Sequence, residues 1–310
     1  MSFISKKKIK GKEYNYLEKS VRLLEGKVKK FSIYLKESNK TKEKEKELNE
    51  KIQEFQTKYA RSYFSGSLKE NEIIKLEKIR INYKKIKESL TNKQMQEVLD
   101  RFAINFTYES NAIEGNSLTL KDVTFVIQEN KTIEGKDLRE IYETLNMRNA
   151  LDFVFNKPKL TIQNIIALHR LVVKNTGVKE GFKTIPNFLI GRNVKTTAPE
   201  KVEEELHKLI LWYNKQTYIH PLEKACYFHG KFEKIHPFED GNGRVGRLLI
   251  NLMLILNNYP PIIIRKSQRV SYFHSLEAFD NKYKTRLLRF FVEKYKDTYK
   301  KFFEVYIKYL

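Results

Sequence analysis

Twelve residues in the second half of the chain bring together an imidazole, a carboxylate, a Gly-Asn-Gly turn and two guanidinium groups. The stretch from His236 to Arg247 reads His-Pro-Phe-Glu-Asp-Gly-Asn-Gly-Arg-Val-Gly-Arg. His236 can accept a proton near neutral pH, and Asp240 offers the hard oxygen that Mg²⁺ accepts. Arg244 and Arg247 carry planar guanidinium forks, which match phosphate oxygens better than lysine does. Together these residue types point to a nucleotide.

The flanking segments predict how these side chains are positioned. From Leu222 to His236 apolar residues recur at three- and four-residue steps, the period of one helix face. From Val245 to Leu256 the chain is apolar almost all round, as in a helix at the centre of a domain. Gly241 and Gly243 permit a tight turn and a close approach of backbone N–H groups to a ligand. The second helix would direct unpaired N–H groups and the positive end of its dipole at that turn, which favours an anion.

The two arginines lie in the helix that is predicted to be buried. A purely structural helix-loop-helix would explain the glycines of the turn, but it would not explain Arg244 and Arg247, because buried charges need partners. Their presence therefore favours a phosphate-binding site.

The same twelve residues resemble the signature of the Fic family, His-x-Phe-x-(Asp/Glu)-Gly-Asn-Gly-Arg-x-x-Arg, and match it at every fixed position. The resemblance implies a helical core that transfers AMP from ATP to a Tyr, Thr or Ser hydroxyl of a protein. It implies that His236 is the base and that Asp240 holds Mg²⁺ between the α- and β-phosphates. It also implies phosphate binding by the loop and the helix after it, through Gly241, Asn242, Gly243, Arg244 and Arg247.

An upstream segment resembles the inhibitory motif of the family. Ser110 and Glu114 are four residues apart near the end of a predicted helix, so they share one helix face. Taken alone, such a short pattern would describe a surface serine and glutamate at a helix end. Together with the long signature it resembles the class of Fic proteins in which the inhibitory helix precedes the core. The resemblance implies that Glu114 pairs with Arg247 and occupies the place of the nucleotide's γ-phosphate.

Residues 181–191 predict a short hairpin, because apolar residues stand between two glycines with Pro186 inside. This segment resembles the Fic flap, which lies over the active site and pairs edge-on with the target protein, here along 183–190. The family usually has arginine where Lys183 or Thr184 stands, so the match is loose. The resemblance implies nucleotide contacts by the residues of the second half of the flap: Phe188, Leu189, Ile190 and Gly191.

The segment Arg269-Val270-Ser271-Tyr272-Phe273-His274-Ser275-Leu276 resembles the family's Arg-x-x-Tyr-Tyr-x-x-Leu, with phenylalanine in place of the second tyrosine. The resemblance implies that Tyr272 and Phe273 flank an adenine. An aromatic pair on a helix is also a common feature of a core, and the sequence leaves both interpretations open.

The other histidines carry no predicted chemistry. His169 lies in a predicted helix that Thr161 caps, and it is expected to be a packed core or rim histidine rather than a ligand. The remaining histidines do not make metal-ligand spacing with each other or with Cys226, so no zinc site is predicted.

The composition along the 310 residues predicts three regions. Residues 1–40 hold short strand-like segments split by glycines and predict a small β-containing accessory module. Residues 41–90 interleave Lys with Glu and predict a charged helical arm, either a hairpin or a dimerisation arm, so a homodimer is one expected assembly. Residues 91–310 predict the Fic helical domain, with its inhibitory helix at about 95–115 and its core at about 160–295. The predicted fold class is mainly α, with a β-hairpin flap, an N-terminal β meander and the charged arm.

Charge and cysteine content limit the classes of partner and the compartment that the sequence predicts. The net charge is +22, mostly from Lys interspersed with Glu, which is typical of a solvated helix surface rather than of a groove reader. Nucleic acid or an acidic partner stays open, since long-range attraction needs only net charge. The single cysteine cannot form an internal disulfide and the N-terminus lacks a signal-peptide core, so a cytoplasmic protein is expected. No apolar run has membrane-spanning length, so no membrane partner is expected.

The predicted function is therefore a protein adenylyltransferase that Glu114 holds in an inhibited state. The motif also permits UMP or phosphoryl transfer, or hydrolytic removal of AMP. A hypothesis of another class is a non-catalytic module whose nucleotide only orders the basic N-terminal region for a partner. Such a module would have no evident need for His236 and Asp240.

Overall fold

The computed structural model describes residues 2–24, 26–36, 41–187 and 195–307. Contacts within the chain divide it into two units, Met1–Ile81 and Asn82–Leu310. Among the described residues, no helix is both long enough and apolar enough to cross a membrane.

The first unit contains an antiparallel sheet of three strands in the order β1-β2-β3. The strands are β1 (Phe3–Ile9), β2 (Lys12–Arg22) and β3 (Val28–Leu35). Helix α1 (Thr41–Tyr63) packs against the sheet, and the shared core consists of Leu17, Phe31, Leu35, Leu48 and Ile52. Because a small sheet is not stable alone, α1 supplies the second layer that it needs. The predicted β meander is present in this unit.

Helix α2 (Glu70–Ser89) begins in the first unit and ends in the second. The helices that follow have these bounds: α3 (Asn92–Ile113), α4 (Leu120–Glu129), α5 (Leu138–Phe155), α6 (Ile162–Val173), α7 (Val202–Lys215), α8 (Pro221–Ile235), α9 (Asn242–Leu256), α10 (Arg269–Asp280), α11 (Lys284–Phe302) and α12 (Glu304–Ile307). Single 3₁₀ turns precede α7 and α10, at Pro199–Lys201 and Lys266–Gln268.

Threonine caps fix the starts of three helices that surround the site. Thr91, Thr119 and Thr161 each accept a hydrogen bond from the backbone N–H three residues further on. Asp122 completes a capping box with Thr119, since its carboxylate accepts from the Thr119 N–H at 2.9 Å. A side-chain cap of this kind contributes about 1 kcal/mol. The predicted cap at Thr161 is confirmed.

Helix α9 runs through the centre of the second unit and contacts α3, α5, α6 and α8. Most of its side chains are buried, which agrees with the apolar pattern of the sequence. Gly246 lets α8 approach closely, because a Cβ there would collide with the side chains of Glu233 and His229. The loop before α9 is thereby held between packed helices.

Candidate active site

His236 ends α8 in the left-handed conformation, with φ 50° and ψ 64°. Its backbone N–H still donates to the carbonyl of Phe232 at 2.9 Å, so the strained backbone closes the last helical turn. Ring atom Nδ1 lies 3.3 Å from the carbonyl oxygen of Glu233. Because a carbonyl can only accept, Nδ1 carries the proton and Nε2 carries the lone pair. The half-buried imidazole is therefore in the tautomer of a base that acts through Nε2.

Asn242 shapes the loop between α8 and α9. Its side-chain oxygen accepts from the Phe238 N–H at 2.9 Å, and its side-chain nitrogen donates to the Phe238 carbonyl at 2.8 Å. Gly241 starts the helix with φ 81°, where a Cβ would press on Val173. Both polar groups of the Asn242 side chain thus bind the loop itself, and the phosphate contact of Asn242 stays a prediction. The backbone N–H groups in the first turn of α9 are candidates as well.

His169 supports the same loop from α6. Its ring stacks on Phe238, with centroids 3.8 Å apart and planes at 9°. The Gly181 N–H donates to Nδ1 at 3.3 Å, so Nε2 carries the proton and donates to the carbonyl of Asp240 at 3.1 Å. Burial lowers the pKa of His169 to about 4, which keeps the ring neutral. The prediction of a packed histidine is confirmed, and its packing holds the site loop.

Arg247 binds the end of α3 with two of its three guanidinium nitrogens. Nε donates to the Ser110 hydroxyl at 2.8 Å and Nη2 donates to the Ser110 carbonyl at 2.9 Å. Nη2 also lies 2.7 Å from Oε1 of Glu114. The side chain of Arg247 is 2% exposed, whereas that of Glu114 is 35% exposed. The predicted pairing of Glu114 with Arg247 is therefore present in the structure.

Glu114 also covers the start of α9. A Cβ on Gly243 would collide with Oε1 of Glu114, so only glycine permits the carboxylate to lie this close to the helix. An anion is stabilised at such a helix N-terminus, because the first N–H groups and the helix dipole present positive charge. A carboxylate thus occupies a position that also suits a phosphate.

The first arginine of the signature, Arg244, binds a pair of carboxylates. Arg244 is buried, and its Nη1 lies 3.1 Å from Glu143 while its Nη2 lies 3.4 Å from Asp240. Arg139 from α5 reaches the other oxygen of Asp240 at 3.2 Å and approaches Glu143 at 3.5 Å. Arg139 and Glu143 were not predicted from the sequence. Their spacing on α5 is a common surface pattern, and nothing in the sequence indicates contacts about a hundred residues away.

The segment after Glu114 is tied to α5 and to α10. Asn116 donates from its side-chain nitrogen to Glu143 at 3.0 Å, and so joins the segment after α3 to the carboxylate that holds Arg244. On the other side, Nε of Arg269 donates to the carbonyl of Ile113 at 2.7 Å. A guanidinium group near the last carbonyl groups of a helix stabilises the C-terminal end of that helix. The end of α3 is therefore held at several points beside Glu114 itself.

Asp240 fits a metal ion only in part. In the described ranges, no cluster of three or more His, Cys, Asp or Glu side chains could hold a metal. The Asp240 side chain is 48% exposed, and one of its oxygens accepts from the Gly241 N–H at 2.6 Å. Mg²⁺ is commonly held by one or two carboxylates together with phosphates. Asp240 therefore suits an ion that arrives with a nucleotide rather than one caged by protein.

The described part of the flap is anchored by Lys183. Its N–H donates to the carbonyl of Pro237 at 2.9 Å. Its buried ammonium donates to Asn187 at 2.8 Å and to Thr196 at 3.0 Å, which joins the described residues on either side of 188–194. Burial lowers the pKa of Lys183 to about 8. The rest of the predicted hairpin lies outside the described residues, and with it the predicted nucleotide contacts of Phe188, Leu189, Ile190 and Gly191.

The two aromatic residues proposed for the adenine have different surroundings. Tyr272 is 1% exposed, and its hydroxyl lies 2.7 Å from Nε2 of His229. It is therefore packed in the core of this structure, and its contact with an adenine stays a prediction. Phe273 is half-buried, with the Arg269 guanidinium 5.0 Å from its ring centroid, and it stays a candidate.

Comparison with known proteins agrees with this geometry. Residues 159–254 match the Fic/DOC family. Protein adenylyltransferase fic-1 of Caenorhabditis elegans is 34% identical over 182 residues, which cover 56% of this chain and 36% of that protein. Protein adenylyltransferase Fic of Drosophila virilis is 31% identical over 217 residues, which cover 68% of this chain and 44% of that protein. The chain thus spans less than half the length of these two relatives.

Solved structures support the fold. Fic-1 from C. elegans superposes with a TM-score of 0.68 at 24% identity, over 77% of this chain and 74% of that one. A Fic domain containing signalling protein from Bacteroides thetaiotaomicron has a TM-score of 0.60 at 25% identity, over 72% of this chain and 97% of that one. The mainly α fold class is confirmed. With the full signature in the matched residues, residues 159–254 of this chain form a Fic/DOC family domain.

Proposed function

We propose that this protein transfers AMP from ATP to a Tyr, Thr or Ser hydroxyl of a protein target or of itself. One observation carries the proposal: His236 ends α8 with its proton on Nδ1, next to the loop that leads into α9, and the two buried arginines of α9 are held by carboxylates. The similarity to proteins named protein adenylyltransferase supports the same proposal.

In the proposed reaction, Nε2 of His236 removes the proton of the target hydroxyl. The hydroxyl oxygen bonds to the α-phosphorus of ATP, and pyrophosphate leaves. Arg244, Arg247 and the N–H groups of α9 offset the negative charge of the phosphates. Mg²⁺, held by Asp240 and the phosphates, would supply further charge neutralisation. Since position and charge stabilisation provide most of the rate, the base contributes only a part, about 10²–10⁴-fold.

We further propose that the ion pair of Glu114 with Arg247 is an inhibited resting state. The carboxylate satisfies a buried guanidinium and covers the start of α9, which are the two features that a terminal phosphate requires. ATP can then bind productively only if its γ-phosphate displaces Glu114. Glu114→Gly removes the competing carboxylate and keeps Arg247.

A labelling experiment tests the reaction. Glu114→Gly protein is incubated with Mg²⁺ and ATP that is labelled at either the α- or the γ-phosphate, and mass spectrometry locates the adduct. We expect the α label and an added AMP on hydroxyl side chains, and neither in Glu114→Gly/His236→Ala. Transfer of the γ label would indicate phosphoryl transfer, and a preference for UTP would indicate UMP transfer. Nucleotide binding with no adduct in any arm would support a binding module and contradict the proposal.

Several features stay predictions within this proposal. The target is expected to dock along residues 183–190, since the described base of the flap is bonded to the loop through Lys183 and Pro237. A homodimer through the charged arm and a cytoplasmic location rest on the sequence alone. Crosslinking of the full chain and fractionation of cells would test them.

A further inference from the structure

A surface pocket of about 280 Å³ lies between α7 and α8, outside the nucleotide site. Its floor is aromatic, because Trp212 and Tyr227 pack against each other with ring centroids 4.2 Å apart. Its rim is basic. Besides these two rings, the lining includes Thr197, Glu205, Lys208, Lys231, Lys234 and Ile235.

The lysines of the rim are not equivalent. Lys208 is already neutralised by Glu204 at 2.6 Å and Glu205 at 2.8 Å. Lys231 and Lys234 form no ion pair with any carboxylate in the part of the chain that the structure describes. The ammonium of Lys231 lies 5.8 Å from the ring centroid of Tyr227. The pocket therefore presents two cations beside an aromatic floor, which suits an anionic ligand with an aromatic group.

The pocket adjoins the catalytic loop through the chain itself. Tyr227, Lys231 and Lys234 follow each other at four- and three-residue steps on one face of α8. Ile235 lines the pocket and directly precedes His236. Thr197 lines it too and follows Thr196, which Lys183 binds at the base of the flap. A chain that docks on the flap near His236 can thus continue into this pocket.

The lining favours a polypeptide over a nucleic acid. A base cannot insert between Trp212 and Tyr227, because their rings already touch at an angle of 37°. The Glu205 carboxylate in the lining can accept hydrogen bonds from peptide N–H groups, which a phosphodiester backbone does not offer.

We propose that this pocket binds an acidic segment of the protein target, with an aromatic side chain on the Trp212–Tyr227 floor and carboxylates beside Lys231 and Lys234. This inference rests on the proposed function, since it assigns a docking site to the protein that receives AMP.

Trp212 is the single tryptophan of the chain, so its fluorescence reports on this pocket. The probe is the capped peptide Asp-Glu-Phe-Asp-Glu, titrated into the full chain with excitation of tryptophan only. We expect a saturable change in Trp212 emission. The uncharged Asn-Gln-Phe-Asn-Gln should bind at least about tenfold more weakly, because it loses every ion pair with the rim.

Charge reversal locates the binding. Lys231→Glu/Lys234→Glu should weaken the acidic peptide at least about tenfold. Lys201→Glu/Lys215→Glu is the matched control, because it makes the same change of charge at residues that do not line the pocket. Equal weakening by both double variants, equal binding of the two peptides, or tighter binding of a pentanucleotide RNA would overturn the inference.

Automodification of Glu114→Gly with Mg²⁺ and α-labelled ATP separates this inference from the proposed function. Peptide binding without AMP transfer would support the pocket and contradict the reaction. AMP transfer by a protein that does not bind the acidic peptide would support the reaction and overturn the pocket.

Discussion

Glu18 in the N-terminal sheet and Glu114 at the end of α3 both contact basic side chains, but the buried partner differs. In the first contact the carboxylate is buried, and in the second the cation is. The Glu18 side chain is fully buried, while its partners Lys7 and Lys30 are 44% and 55% exposed. At the active site it is the cation, Arg247, that is buried, while Glu114 is 35% exposed. A buried cation needs an anion, but an anion from solvent can serve as well as one from the chain. Only the second arrangement can therefore exchange its partner for a ligand.

The partners of Glu18 come from the two strands that flank it. Lys7 lies on β1 and Lys30 on β3, so strand pairing keeps both ammonium groups beside the carboxylate. Hydrogen bonds from Lys30 and then from Lys7 lower the pKa of Glu18 to about 2. The contact stays charged at any physiological pH and has a structural role.

Removal of the base should have the largest effect on the site. In the Glu114→Gly background, we expect His236→Ala to lower the rate of AMP transfer by about 10²–10⁴-fold. Nucleotide affinity should hold, because the arginines and the start of α9 are unchanged. Initial rates with α-labelled ATP and calorimetric titration measure the two effects. A loss of affinity that matches the loss of rate would mean that His236 acts in binding rather than as a base.

Replacement of the exchangeable anion should have the next largest effect. A hydrogen bond to a charged group contributes about 1.5–3 kcal/mol, and tenfold corresponds to about 1.4 kcal/mol. We therefore expect Glu114→Gly to raise automodification roughly 10- to 100-fold. Glu18→Gln is the matched control, since it removes a carboxylate between cations in the sheet and should leave the rate unchanged. Equal rates for wild type and Glu114→Gly would contradict autoinhibition.

His169 is a third kind of buried ionisable group, one that is kept neutral. Its pKa falls from 6.5 to about 4 on folding, so below pH 6.5 the unfolded chain binds more protons than the folded one. The contribution of neutral His169 to the free energy of unfolding is present in full above pH 6.5 and is lost as the pH falls toward 4. The decrease at pH 5 should be about 2 kcal/mol.

Urea unfolding at pH 7 and pH 5, followed by Trp212 fluorescence, measures this difference. His169→Asn should lower stability at both values but flatten the pH dependence by about the same 2 kcal/mol. His207→Asn, which removes an exposed histidine from α7, should leave the slope unchanged. An unchanged slope in His169→Asn would show that other groups cause the acid sensitivity.

The sequence predicted the parts of the site that depend on local spacing. The helix–loop–helix around Gly241 and the cap at Thr161 follow from patterns within a few residues. The pairing of Glu114 with Arg247 follows from the resemblance to the family. The hydrogen bonds of the Asn242 side chain and the burial of Tyr272 could not be predicted, because each depends on which backbone or side chain packs against it. Arg139 was missed for the same reason, since only tertiary packing brings α5 to Asp240.

Asp240 lies between the two cases compared above. Its half-exposed carboxylate contacts the buried Arg244 on one oxygen and the half-exposed Arg139 on the other. Arg139 is thus the cation of this group that an ion from solvent can replace. Mg²⁺ with its phosphates would compete with Arg139 for the same Asp240 oxygen. Exposed ion pairs contribute about 0.2–1 kcal/mol.

We therefore expect Arg139→Gln in the Glu114→Gly background to lower the Mg²⁺ concentration for half-maximal ATP binding by roughly twofold to fivefold. Calorimetric titration of ATP at a series of Mg²⁺ concentrations measures this shift without turnover. Arg61→Gln, which breaks the exposed pair with Glu70 in the first unit, is the control for the loss of one positive charge. A higher Mg²⁺ requirement in Arg139→Gln would instead mean that Arg139 helps to bind the phosphates. Asp240 would then belong with Glu18, as a carboxylate whose partners are fixed.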